Sequence, residues 1–275
     1  MPLETANSGQ PGNPVLLGVP FDANSSYLAG AAGAPPLIRQ ALHCDASNMW
    51  TETGVDLGAD SLFADVGDLE LAGANAFAAI ERGVEKLLKA GQRPVCLGGD
   101  HSITYPILRA VAGKHADLTV VHFDAHPDLY DELQGNRLSH ACPFARAMEE
   151  RLAKRLIQIG IRTMNGHQRE QAARFGVEVI AMHELPALGK LAQLQGPTYI
   201  SFDIDVLDPA FVPGISHREP GGMSTREAIA HLHAIRGNII GADIVEYNPK
   251  QDVGLLTATV CGKLLKEILG KMIAS

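Results

Sequence analysis

The sequence predicts an α/β fold built on a mostly parallel sheet, and three observations carry that expectation. Short apolar, β-branched runs alternate with helix-period stretches from one end of the chain to the other, the signature of repeated βα units. Polar motifs begin where those apolar runs stop, which in a parallel sheet is the carboxyl end of each strand, where ligands bind. The composition suits one soluble globule, with 275 residues of which 46% are hydrophobic and 20% charged, and this excludes a disordered chain.

Taken in order, about eight apolar runs read as strands. The first, Val15 to Val19, follows a Gly- and Pro-bearing stretch from Gly9 to Pro14, so residues 1–13 are expected to form a flexible N-terminus. Leu62 to Val66 is the second, and the helix-period stretch Ala76 to Ala90 separates it from Val95 to Leu97. Leu118 to Phe123, Leu156 to Ile159, Val177 to Ala181 and Tyr199 to Phe202 follow. A helical pattern over Thr225 to Ile235 precedes the last run, Ile239 to Ile244, and another over Leu255 to Ile273 closes the chain. With no internal repeat, low-complexity tract or linker, a single domain spanning 1–275 is expected.

A net charge of −8 leaves no basic footprint for nucleic acid and would be repelled by anionic lipid, while tolerating a small cationic substrate. Cys44, Cys96, Cys142 and Cys261 form no CxxC pair, so reduced thiols are expected rather than a disulfide framework or zinc knuckle. The N-terminal residues lack a basic and an apolar targeting segment, and no long apolar run suggests a membrane span; the expected location is the cytosol.

The chemistry-bearing residues follow the runs. In Asp124-Ala125-His126-Pro127-Asp128, alternate residues of a still extended chain project to one side, so Asp124, His126 and Asp128 can reach one site. Asp203-Ile204-Asp205 repeats the logic, and His101 in Gly98-Gly99-Asp100-His101-Ser102 completes a set of four carboxylates and two imidazoles. Hard oxygens with borderline nitrogens suit Mn²⁺ and related divalent ions. Carboxylates can bridge, so the set can hold a pair of ions that activate a shared water. Four carboxylates at neighbouring buried strand ends would repel one another without such cations. Asp100 and Asp208 are expected to orient ligands or cap turns. Glu246, just past Asp243, is the remaining acid at a strand end.

These motifs, GGDHS at Gly98 to Ser102, DAHPD at Asp124 to Asp128, SFDIDVLDPAFVPG at Ser201 to Gly214, EPGG at Glu219 to Gly222 and GADIVEYNP at Gly241 to Pro249, resemble the ureohydrolase family of arginases and agmatinases. Gly30 to Arg39 is similar to that family's entry into its first helix. The resemblance implies a three-layer α/β/α sandwich, assembly into trimers or hexamers, and two Mn²⁺ per chain. One ion would be held by His101, Asp124, Asp128 and Asp203, the other by Asp124, His126, Asp203 and Asp205. It also puts a proton-handling role on His140 and makes Glu246 the acid that takes parallel N–H bonds from a planar guanidinium.

Departures bear on the substrate. Asp131 to Asn136 does not match the run by which many arginases grip an amino acid, and Asn165 replaces an acid after Gly160-Ile161-Arg162. Asp131, Asn136, Asn165 and His217 are the candidates for the substrate's tail, with Arg218 a further cation nearby. The wording DAHPDLYDELQGN and PGISHREPGG is most similar to plant-type arginases, which favours arginine, and decarboxylated or deaminated analogues remain the alternative. A dinuclear phosphoesterase would want added Arg or Lys among the motifs. A single-metal deacetylase would not need His101, Asp128 and Asp205 together, and a binding subunit without turnover would not need His140 and Glu246.

Overall fold

The computed structural model describes residues 12–59, 61–71, 75–186 and 188–274. Of the expected flexible stretch 1–13, only Gly12 and Asn13 fall among them.

All eight expected strands form: β1 (Pro14–Val19), β2 (Ala64–Asp68), β3 (Arg93–Gly98), β4 (Thr119–Phe123), β5 (Arg155–Ile161), β6 (Glu178–Ala181), β7 (Pro197–Asp203) and β8 (Asn238–Val245). They make one parallel sheet in the order β2-β1-β3-β8-β7-β4-β5-β6. The helices among the described residues are α1 (Ala34–Leu42), α2 (Ala76–Lys89), α3 (Thr104–Ala112), α4 (Pro143–Glu149), α5 (Gly166–Phe175), α6 (Leu188–Leu191), α7 (Thr225–Ala234) and α8 (Leu256–Ala274).

Alternation along each strand divides the core in two. Leu16, Val95, Val121, Ile200 and Ala242 face α1, α6, α7 and α8, while Val15, Leu17, Cys96, Val120 and Tyr199 face α2, α3, α4 and α5. Successive residues of a strand point to opposite faces, so a parallel sheet buried on both sides needs apolar side chains at nearly every position. The result is the expected three-layer α/β/α sandwich.

The topology levels the four central strand ends. Leu97 pairs with Ile244, Asp203 with Val245, and Phe202 with Phe123, so β3, β8, β7 and β4 finish side by side. Chain order reverses in this region, which opens a crevice beyond the strands. A close backbone approach seals one wall: a Cβ on Gly99 would lie 1.7 Å from the Phe21 carbonyl oxygen, and the bare glycine instead lets Asp100 N–H donate to that oxygen at 2.9 Å. One expectation is corrected. Asp243 is not at a strand end beside Glu246 but inside β8, fully buried, where it accepts hydrogen bonds from Thr104, Tyr199 and Ser201.

Candidate metal centre

Each of the four central strands delivers polar side chains into the crevice. Beyond β3, Asp100 caps a short 3-10 turn by accepting from Ser102 N–H, and the turn projects His101 inward. Beyond β4, Asp124 Oδ1 accepts from His126 N–H at 2.6 Å, folding the chain so that Asp124, His126 and Asp128 reach the same space. Beyond β7, Asp203 Oδ1 accepts from Asp205 N–H at 2.8 Å, and Asp205 Oδ1 accepts from Ala125 N–H at 3.1 Å, tying that turn to the β4 turn. Glu246 follows β8 with φ 66° and Asp128 has φ 48°, left-handed conformations that side chains other than glycine adopt only at a cost.

The donors converge. His101 Nδ1 lies 3.2 Å from Asp124 Oδ2, 3.0 Å from Asp128 Oδ2 and 3.1 Å from Asp203 Oδ2. His126 Nδ1 lies 3.0 Å from Asp205 Oδ2 and 3.4 Å from Asp124 Oδ1. Asp124 therefore turns one oxygen towards each imidazole, the disposition of a bridging carboxylate.

A fit test for cations comes from His101. Its Nε2 is 3.0 Å from Ser201 Oγ, whose own proton goes to Asp243 Oδ1 at 2.7 Å. Ser201 then accepts from Nε2–H, so in the neutral ring the lone pair is on Nδ1, fully buried and aimed at three carboxylate oxygens; against burial, Asp124, Asp128 and Asp203 hold the ring well above the usual imidazole range, so without an ion a proton takes the position that a cation would fill. The electrostatics agree. Burial, then Asp205 and Asp124, push Asp203 well above the usual carboxylate range, and burial with Asp124 pushes Asp205 up to about 6. The crevice holds more negative charge than its burial tolerates, which a divalent cation would relieve.

Above this floor is a cavity of about 170 Å³. Glu246 Oε1 accepts from His101 N–H at 2.8 Å and lies 3.1 Å from His140 Nδ1. Burial opposes the charge of His140, but Glu246, and behind it Asp128 and Asp100, raise it to about 9. His140 in return keeps Glu246 below its ordinary value against the opposing effect of burial. Burial and the Glu246 charge push Asp100 up to about 7.

Among the expected tail residues, His217 lines the cavity, whereas Asp131, Asn136 and Asn165 do not. The Asp131 carboxylate is claimed by Arg137 and, at 2.8 Å, by Arg146. Asn136 donates to Asn24 Oδ1 at 3.1 Å, clasping two loops. Asn165 forms a capping box with Gln168 at the start of α5. Arg218 is exposed and donates to the Pro213 carbonyl. Asp208 caps a turn, as expected, by accepting from Ala210, Gly221 and Gly222 N–H.

Sequence reasoning missed Ser26, Tyr130, Thr163 and Gln168, neutral residues of the cavity wall. It also missed His122, whose Nε2 is 2.8 Å from Asp124 Oδ2. No Lys or Arg is among the described residues lining the cavity, which removes the charge complement that a phosphoester substrate would want.

Residues 13–270 match the family described as the arginase family. Among curated relatives, arginase 1, mitochondrial, from Arabidopsis thaliana is 44% identical across 94% of this chain and 80% of its own length. Guanidino acid hydrolase, mitochondrial, from Homo sapiens is 36% identical across 98% and 80%. Among solved structures, arginase from Medicago truncatula matches with a TM-score of 0.90 at 40% identity, covering 94% of this chain and 87% of that one.

Proposed function

The chain belongs to the arginase family, and on that premise we propose that it hydrolyses the guanidino C–N bond of arginine or a close guanidino compound, releasing urea and an amine. The observation that carries the reading is the convergence of His101 Nδ1 with three carboxylate oxygens directly below the Glu246–His140 pair. His101, Asp124, Asp128 and Asp203 would hold one divalent ion, and Asp124, His126, Asp203 and Asp205 the other. When bound, such a pair supplies acidification of a shared water, giving a nucleophile at neutral pH. Manganese as that ion, and a homo-oligomeric assembly, belong to the same proposal; the oxygen-rich donor set supports the first.

The protein's own residues account for the rest. Glu246 Oε1 is engaged by His101 and His140, so Oε2 is the oxygen left for a guanidinium, whose planar N–H pair orients its carbon over the floor. The amine leaves only when protonated, and His140, held charged by Glu246, carries that proton at the cavity wall. Ser26 Oγ, 2.8 Å from His140 Nε2, orients the ring from its other side. With Asp131 and Asn136 turned away, the tail falls to Tyr130, Thr163, Gln168 and His217.

Arginine is favoured by the plant relatives, which are named arginases. The human relative, named a guanidino acid hydrolase, supports a second reading in which the substrate lacks the amine. The test is urea release by Mn²⁺-loaded protein on arginine, agmatine and 4-guanidinobutyrate in parallel. Arginine should give the highest kcat/KM with two ions per chain by elemental analysis, and no urea from any of the three would overturn the proposal.

A further inference from the structure

The cavity wall carries a donor set unlike that of the floor. His140, His217 and Glu246 each present one ligand atom, and these atoms lie within 4.8 Å of one another. All three line the cavity. Ser26 Oγ lies between the two imidazoles, 2.8 Å from His140 Nε2 and 3.4 Å from His217 Nε2, and the ring centroids are 4.8 Å apart. Among the described residues His217 makes no ion pair, and its Nε2 meets Ser26 Oγ at 3.4 Å.

We propose that His140, His217 and Glu246 form a third, inhibitory ion site that takes Zn²⁺. The argument is one of composition. On the floor the Nδ1 atoms of His101 and His126 each face two or three carboxylate oxygens, an oxygen-rich environment in which Mn²⁺ is at home. On the wall two imidazoles meet one carboxylate, the His₂Glu donor set by which zinc hydrolases hold zinc with a fourth position open. Zn²⁺ outranks Mn²⁺ at nitrogen and oxygen donors alike, so the sorting rests on ligand type and availability: with Mn²⁺ already filling the carboxylate floor, added Zn²⁺ is left the imidazole-rich wall. This inference rests on the reading that Glu246 and His140 serve the substrate: a Zn²⁺ ion on the wall would displace the His140 proton to solvent, occupy both groups and stop turnover while the floor ions stay in place.

The test uses Mn²⁺-loaded protein freed of excess metal, dialysed against Zn²⁺ and assayed for both elements. The expected result is one Zn²⁺ bound per chain with manganese undiminished, loss of urea release, and a weaker apparent Zn²⁺ inhibition as arginine is raised. Losing a residue that merely orients a ligand costs about tenfold to a hundredfold in affinity, so His217→Asn, which loses a ligand, should weaken Zn²⁺ binding at least that much. Co²⁺ added to Mn²⁺-loaded wild type should give the visible absorption of a low-coordinate ion, and that readout needs no variant. Zinc that replaces manganese one for one, or a His217→Asn protein that binds it as tightly as wild type, overturns the proposal. Because binding is measured without turnover, a third ion in a protein that releases no urea would sink the reaction reading alone.

Discussion

Ser201 is uncharged and wholly buried, yet it decides which nitrogen of His101 faces the carboxylates. Its hydroxyl donates to Asp243, so its oxygen accepts from Nε2–H and Nδ1 is the nitrogen left for an ion. Ser201→Ala should therefore leave the fold intact and weaken ion retention at His101 by about tenfold to a hundredfold, as read by dialysis against a graded chelator. Retention equal to wild type would show that the tautomer is set elsewhere. The residues legible in the sequence were those whose role follows from local geometry: Asp124, His126, Asp128, Asp203 and Asp205 stand at alternate positions past a strand end, and the structure gathers them with His101. Ser201, His122 and Ser26 were not legible, because each acts on a partner at least one strand away or, for His122, from inside a strand that reads as core. Asp131 shows the same limit. Its carboxylate was free in the sequence, but Arg146, fifteen residues on, claims it.

At the scale of elements, all eight strands were legible because two-sided burial leaves nearly continuous apolar runs, and α2, α7 and α8 showed helical period. The others were harder to see. α4 is only about two turns long, opened by Pro143, and α5 is mostly polar, so neither has a strong apolar stripe. The start of α5 was nonetheless written in Asn165 and Gln168, whose reciprocal bonds form the capping box. That corner also builds the cavity wall, since Asn165 Nδ2 donates to the Tyr130 hydroxyl at 2.8 Å while Thr163 and Gln168 line the space. The β5–α5 corner should therefore read the substrate's tail. Thr163→Val should change the arginine to agmatine ratio of kcat/KM by roughly tenfold to a hundredfold, the scale of one polar contact. Asp131→Asn should leave that ratio unchanged, and the reverse pattern in steady-state kinetics would return the tail to the 131–136 loop.

For the whole molecule, the crevice stores charge that the fold alone does not neutralise. Asp205 rises from 3.8 to about 6 through burial and the Asp124 carboxylate. An acid with a raised pKa binds its proton more tightly folded than unfolded, so its stabilising contribution is complete below pH 3.8 and lost as pH rises through about 6. Chelated wild type should thus lose Tm relative to Asp205→Asn across that window, and excess divalent ion should abolish the difference; parallel curves for the two chelated proteins would refute it. The order β2-β1-β3-β8-β7-β4-β5-β6 has a further effect, on how the protein comes into being. Strands β1 to β3 and β4 to β6 can form two separate half-sheets early in synthesis, each with a bare parallel edge at β3 or β4. Those edges meet no partner until β7 and β8, the last strands to leave the ribosome, wedge between them. The hydrogen bond from His101 N–H to Glu246 spans 145 residues, so the centre cannot exist on a nascent chain that lacks β8. Such long-range pairing is slow and leaves sticky edges exposed meanwhile. Ion capture then comes as the last act of folding, when a cation can clip the late-arriving strand to the early ones.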